Sequence, residues 1–209
     1  MDLIQALAAE LGKDPRHVEN VVHLLDEGNT IPFIARYRKE LHGAMDDTSL
    51  RTLEERLQYL RSLEERREAV KKSIDEQGKL TDELAAAIDS AKTLAEVEDL
   101  YRPYKQKRRT RATMAKEKGL EPLAALLFAQ ERDCPRPEEA ARDFVDPEKG
   151  VETVEDALQG ASDIIAEQIS DDAAIRKSLR ALISRQGQLV SRAAAEDDSV
   201  YRLYYDFTQ

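Results

Sequence analysis

The spacing of apolar and polar positions is helical almost from one end of the chain to the other. In "LIQALAAELG", Leu3, Leu7 and Leu11 recur at i, i+4 and Gly12 closes the run. Asp14 then stands where an N-cap belongs, with Pro15 at the first helical position, Val18, Val21, Val22 and Leu25 facing inward, and Gly28 as the stop. A third helix opens at "TIPFIARYRKEL", where Pro32 supplies its fixed φ and Phe33, Tyr37 and Leu41 are expected on the core side. The longest element runs from about Asp47 to Gln77. Leu50, Leu53, Leu57, Leu60, Leu63, Val70 and Ile74 form its stripe, which the charged residues Glu64 to Glu68 interrupt. A dimeric coiled coil needs an a/d pattern sustained over several heptads, so packing against helices of the same chain is the better reading.

Further on, Thr81 caps "DELAAAIDSAK" and Thr93 opens "TLAE", a capping box ahead of Val97 and Leu100. "GLEPLAALLFAQE" is expected to set Leu123, Leu126 and Leu127 on one face, and "PEEAARDFV" follows the breaker "CPRP". Thr153 and Asp156 pair as a cap before Ala157, Leu158, Ile164, Ile165 and Ile169, and the next helix carries Ile175, Leu179, Leu182 and Ile183 up to Gly187. A short extended segment is expected near Gln188 to Ala193. Tyr201, Tyr204, Tyr205 and Phe207 crowd into the last residues, a cluster that needs a surface to pack on. The pattern predicts an all-α fold: a multi-helix bundle with a long central helix, in approximate sub-parts 1–100 and 101–209.

Composition supports the helical reading and narrows the chemistry. Charged residues make up 35% of the chain against 8 glycines, a balance that favours helices over sheets. One cysteine, Cys134, excludes an internal disulfide and a thiolate metal site. There is no apolar run of membrane-spanning length, and the start "MDLIQALAAE" lacks the plan of a signal peptide, so no membrane partner and a cytoplasmic location are expected. His17, His23 and His42 have no partners at metal-ligand spacing and read as surface or satisfied histidines. No glycine-rich phosphate loop, no GxSxG elbow and no cysteine with an obvious base is present, so no catalytic residue, metal or cofactor is expected. The pairs Asp46/Asp47 and Asp171/Asp172 stand where helices begin.

Charge is the one strong asymmetry. The chain has a net charge of -10, yet "LYRPYKQKRRTRATMAKEKG" carries Arg102, Lys105, Lys107, Arg108, Arg109, Arg111 and Lys116 with no carboxylate between Asp99 and Glu117.

Four strings, "LLDEGNTIPFIARYRKELHG", "LEERLQYLRSLEERREAVKKSIDEQGKLT", "EDLYRPYKQKRRTRATMAKEKGLEPLA" and "FVDPEKGVETVEDALQGASDIIAE", resemble in that order the N-terminal helical region of the Tex family of bacterial transcription accessory proteins. The resemblance extends from about Leu3 to Phe207. It implies a nucleic-acid-associated accessory role, RNA or DNA, with possible partners in the transcription machinery, and a helix-turn-helix-like part. Family members continue into an RNase-H-like domain, helix-hairpin-helix repeats and a C-terminal OB-fold that binds RNA. None of these is in the chain, so no nuclease chemistry carries over, and an N-terminal fragment is the expectation.

Three readings of the basic segment stay open. Lys105, Lys107, Arg108, Arg109 and Arg111 contact phosphate while Tyr104 stacks on a base; or the segment docks onto acidic helices or other domains, making the chain a docking scaffold with no nucleic-acid affinity of its own. In the third, Tyr101 and Tyr104 pack on the core and the cations stay solvated. Arg36, Arg38 and Lys39 raise the same choice on a smaller scale. A helix-turn-helix reader presents such a positive edge to a groove, whereas the alternative pairs Arg36 and Arg38 with Glu54 or Glu55.

Overall fold

Eleven α-helices account for most of the residues described by the computed structural model, which are 3–106, 108–132, 134–195 and 198–209. The fold is all-α apart from one small hairpin, as the spacing predicts. Two compact units divide the chain at residues 97 and 98.

In the first unit, α1 (Leu3–Leu11), α2 (Pro15–Asp26), α3 (Ile31–Tyr37) and α5 (Asp82–Ser90) each pack against α4 (Asp47–Asp75). The caps sit where local chemistry puts them. Asp14 accepts from the Arg16 amide at 2.9 Å, Asp46 from that of Ser49 at 2.7 Å, and Thr81 from that of Leu84 at 3.2 Å. Leu50, Leu53, Leu57, Leu60, Leu63, Val70 and Ile74 of α4 are all buried.

The expected interruption of that stripe is absent, because Arg67 occupies the inward position between Leu63 and Val70 and is itself buried. Its guanidinium donates to Glu64 at 2.6 Å and to the carbonyl of Ala91, the residue that caps the C-terminus of α5. A cation thus continues an apolar stripe by satisfying an orphan helix carbonyl.

Around α3 the expectation is corrected. Ile31 and Ile34 form the buried face, and Tyr37 is exposed, since the helix ends at Tyr37 and the chain turns before Leu41 can extend an i, i+4 row. The turns that follow bury His42, whose ring nitrogens have no hydrogen-bond partner among the described residues, contrary to the satisfied or surface histidine expected. Asn20 holds this segment by donating to the Leu41 carbonyl at 3.1 Å.

α6 (Leu94–Tyr101) spans the division between the units. The second unit contains α7 (Arg111–Glu117), α8 (Glu121–Ala129), α9 (Pro137–Arg142), α10 (Val154–Asp171) and α11 (Ala173–Gln186), with β1 (Val190–Arg192) and β2 (Asp206–Thr208) paired antiparallel. α10 is its hub, touching α7, α8, α9 and α11. Thr153 and Asp156 form the full capping box at its start. Ala157, Ala161 and Ile164 of α10 share one core with Ala112 and Ala115 of α7, Leu120, Leu123 and Ala124. Gly160 lies beside them, where a Cβ would strike the Leu120 side chain and come within 3.3 Å of the Ala115 Cβ.

Two apolar rows expected inward are not fully so. Leu126 is partly exposed while Leu123 is buried. On α11 no residue is buried, and Ile175, Leu179, Leu182 and Ile183 are all exposed, while Arg176 and Arg180 of the same helix pair with Asp99 of α6. The extended segment expected near Gln188 to Ala193 is β1, and the terminal aromatics close its partner strand, with the rings of Tyr204 and Phe207 edge to face at 5.7 Å.

Two outcomes follow from this packing. Replacing Gly160 by Val overfills the α7–α10 contact and should destabilise the second unit by about 1–3 kcal/mol, read from urea unfolding; an unchanged midpoint would show that the helices separate freely. Cutting the chain after Asp198 removes no member of the α10 core, so the thermal midpoint should move by less than about 2 °C. A large drop would place the terminal aromatics in that core.

Candidate nucleic-acid interface

The basic segment is positioned by α7 and the face of α10 beneath it. Thr110 caps α7 by accepting from the Thr113 amide at 3.0 Å. Its hydroxyl also donates to Glu167 at 3.1 Å, which pins the start of α7 to α10. Small residues on both helices bring them close, so the side chain of Arg111, at the first turn of α7, falls over α10 as well.

On α10 the residues Asp163, Glu167 and Asp171 follow one another at i, i+4, i+8, beside the alanine row that packs on α7. They meet the segment in reverse chain order. Arg111 Nε lies 3.6 Å from Asp163, Thr110 bonds Glu167, and Arg102 Nε donates to Asp171 at 2.8 Å. The pairs are lopsided: the Asp163 and Asp171 side chains are 15% and 14% exposed, whereas those of Arg111 and Arg102 are 79% and 44% exposed. Carboxylates lie underneath and guanidiniums above. A shallow depression of about 340 Å³ between Arg102, Thr110, Arg111 and the three acids marks the seam.

The other candidates distribute around this seam. Lys105 Nζ is 4.0 Å from Glu98, and Arg109 donates to Glu117 at 2.6 Å, both on the surface. Arg108 is exposed and forms no ion pair among the described residues. Tyr104 ends a short 3-10 turn after α6 and is half-buried. Lys107 lies outside the described residues. The structure therefore gathers Arg102, Lys105, Arg108, Arg109 and Arg111 along one stretch of the second unit.

Arg36, Arg38 and Lys39 belong to the first unit, at and just after the end of α3. The expected pairing with Glu54 or Glu55 is not formed: Arg38 lies over the Phe33 ring at 5.3 Å and donates to the Tyr37 carbonyl at 3.3 Å. A guanidinium stacks on an aromatic face more readily than it reaches across a helix, and its edge stays wet. Arg36 and Lys39 line a shallow surface depression with Asp47 and Arg51.

Sequence reasoning missed the residues underneath. Asp163, Glu167 and Asp171 are readable as an i, i+4, i+8 acidic row, but their partners lie more than fifty residues away. Asp171 does not serve as a cap; Asp172 does, accepting from the Ile175 amide at 2.8 Å. Asp99 was missed as well. It is buried at the end of α6 and receives Arg176 Nε and Arg180 Nη2, each at 2.6 Å. Burial pushes its carboxyl up, yet the two guanidinium bonds outweigh that and hold it below the ordinary 3.8.

Two family models match the chain, one described as the Tex-like protein N-terminal domain over residues 1–75 and one as Tex central region-like over residues 133–209. The chain belongs to the Tex-like family. It is 42% identical over 208 residues to the transcriptional accessory protein Tex of Neisseria gonorrhoeae, aligning 99% of this chain with 27% of that protein. Protein YhgF of Escherichia coli strain K12 is 50% identical over 203 residues, 96% of this chain and 26% of YhgF. The human S1 RNA-binding domain-containing protein 1 is 30% identical over 200 residues, 95% of this chain and 20% of its own length. This Tex-like chain thus spans between a fifth and three tenths of the relatives it matches. Its basic segment lies between the two family-model matches.

The Asp99 clamp carries a pH signature. A carboxyl whose folded value is depressed contributes stability that is complete above 3.8 and is lost as pH falls through the folded value. The stability gap between the wild type and Asp99→Asn should therefore be widest near neutrality and should close progressively below about pH 4 in thermal melts. A gap that stays constant to about pH 2 would show that the charge of Asp99 is irrelevant to the clamp.

Proposed function

We propose that the chain is a non-catalytic, cytoplasmic, nucleic-acid-associated module of a transcription accessory protein, and that Lys105, Arg108, Arg109 and Arg111 contact phosphates. The observation that carries this reading is the outward placement of the segment's cations. Arg108 is exposed, the pairs of Lys105 with Glu98 and Arg109 with Glu117 are exposed on both sides, and exposed pairs of this kind are worth only about 0–1 kcal/mol, so little holds these three cations back from an incoming phosphate; Arg111 is outermost over its covered partner Asp163. Membership in the Tex-like family supports an accessory role, and the name of the human relative refers to RNA binding. RNA and DNA both fit the chemistry. Among the described residues no helix is long and apolar enough to cross a membrane. In the first unit, Arg36, Arg38 and Lys39 offer a smaller positive edge next to the α2–α3 turn, suited to a helix-turn-helix-like contact with a groove.

A second reading is favoured by the same ion pairs. Arg102 to Asp171 and Arg111 to Asp163 are internal docking contacts, and a segment whose charge is spent at home makes the chain a scaffold for protein partners such as the transcription machinery.

The two readings separate in one titration. Replacing Lys105, Arg108 and Arg109 by Gln should weaken binding to single-stranded RNA and to duplex DNA regardless of sequence. It should also reduce the salt slope of log K by about 0.7 per lost contact for the single strand and about 0.9 for the duplex. Helical circular dichroism should not change. If the wild type binds and the triple variant keeps both affinity and slope, the phosphate reading fails.

A further inference from the structure

We infer that the acidic row Asp163, Glu167 and Asp171 on α10 is an internal competitor that sets how strongly the basic segment takes up phosphate. This rests on the phosphate reading above. Its basis is geometric: three carboxylates at one helical spacing each receive a group of the segment, Arg111 at 3.6 Å, Thr110 at 3.1 Å and Arg102 at 2.8 Å.

Other roles for the row do not fit its surroundings. It is not a set of helix caps, since the α10 cap is Thr153 with Asp156 and the α11 cap is Asp172. Nor does a general need for surface charge explain it, because the Asp163 and Asp171 side chains are mostly covered. Carboxylates are costly to cover unless something cationic sits on them, and the segment supplies that. The burial asymmetry then fixes the direction of the competition. A polyanion reaches Arg102 and Arg111 from solvent without touching the acids, but each phosphate contact must share or detach a guanidinium from a carboxylate with little water to turn to. Arg108, which has no ion pair among the described residues, and Lys105, whose partner is 4.0 Å away, are free of this restraint. Arg102 and Arg111 are the restrained pair. The segment is thereby divided into cations available at once and cations held in reserve.

Changing the carboxylates to their amide isosteres tests this. Asp163→Asn with Asp171→Asn keeps the shapes, releases Arg111 and Arg102, and should raise the affinity of the chain for a fluorescein-labelled uridine oligonucleotide at low salt on the order of tenfold. The salt slope should steepen by about 0.7 for each guanidinium that gains a phosphate. Removing two negative charges anywhere favours a polyanion slightly, so Glu138→Gln with Glu139→Gln, two exposed acids at the start of α9, is the reference. Adding Arg111→Ala to the Asp163→Asn variant should cancel that site's share of the gain. Asp163→Asn alone, with Asp171 left in place, should show about half of the added slope and covers the case in which the double variant does not fold.

Binding by the wild type with no difference between the double variant and the Glu138/Glu139 reference overturns the competitor while leaving the phosphate contacts standing. Absence of binding by wild type and by every variant overturns both. Binding that appears only when the α10 acids are neutralised supports the competitor in its strongest form.

Discussion

The close approach of α7 to α10 is the constraint on which the second unit and its charged surface depend. Ala112 and Ala115 of α7 share a core with Ala157 and Ala161 of α10, and at Gly160 the missing Cβ leaves room for the Leu120 side chain and the Ala115 Cβ. Helices packed over small residues approach more closely than helices held apart by bulkier side chains. At that distance, side chains one position off the seam can reach across it. Thr110 and Arg111 therefore touch Glu167 and Asp163 directly. The same contact that builds the core presents the cations, so the surface cannot be rearranged without disturbing the packing.

Charge is handled in two different ways in the molecule. Arg67 and Asp99 are taken inside, and each is met by specific partners. The Arg67 guanidinium bonds Glu64 and a helix-terminal carbonyl, and Asp99 is held by two guanidiniums from α11. An uncompensated buried charge costs several kcal/mol, which is why these two are paired closely. The cations between Arg102 and Lys118 stay outside, and the pairs they form are open to water on the cation's side. A buried pair fixes structure; an exposed pair leaves its cation able to change partner. Asp99 also binds α11 to the unit, which matters because α11 has no buried side chain of its own.

What was legible in the sequence was local. Asp14, Thr81 and Thr153 are readable as caps because a cap needs only the two or three residues that follow it, and the leucine stripe of α4 because every second turn repeats it. What was not legible depended on distant partners. Arg67 looked like a break in the stripe, since nothing near it announces the Ala91 carbonyl. Tyr37 looked like a core residue until the helix ended under it. Ile175, Leu179, Leu182 and Ile183 have helical spacing, but spacing only says that they share a face, not that anything covers it. The basic segment was plain in the sequence as a run of cations, while the carboxylates of α10 became part of the same site only once the fold brought Asp171 to Arg102 and Asp163 to Arg111. At Arg67 and at the α10 carboxylates the gap is a contact of long sequence separation.

A net charge of -10 and a proposed contact with a polyanion are compatible for the same reason that the site is divided. At physiological ionic strength charges more than ~8 Å apart are largely screened, so a phosphate at the segment feels Arg108, Arg109 and Lys105 and little of the acidic surface elsewhere. The acids that do lie within that distance include Asp163 and Asp171 on α10, covered by the cations they hold, and the exposed Glu98 and Glu117, each already beside a cation of the segment. Repulsion from the rest of the chain then acts mainly on long polyanions that extend past the segment, as a penalty that grows when salt is removed. Attraction at the segment grows under the same condition. Which of the two gains more depends on how many cations are free to face outward, and that number is governed by the pairing of Arg102 and Arg111 rather than by the total charge of the chain.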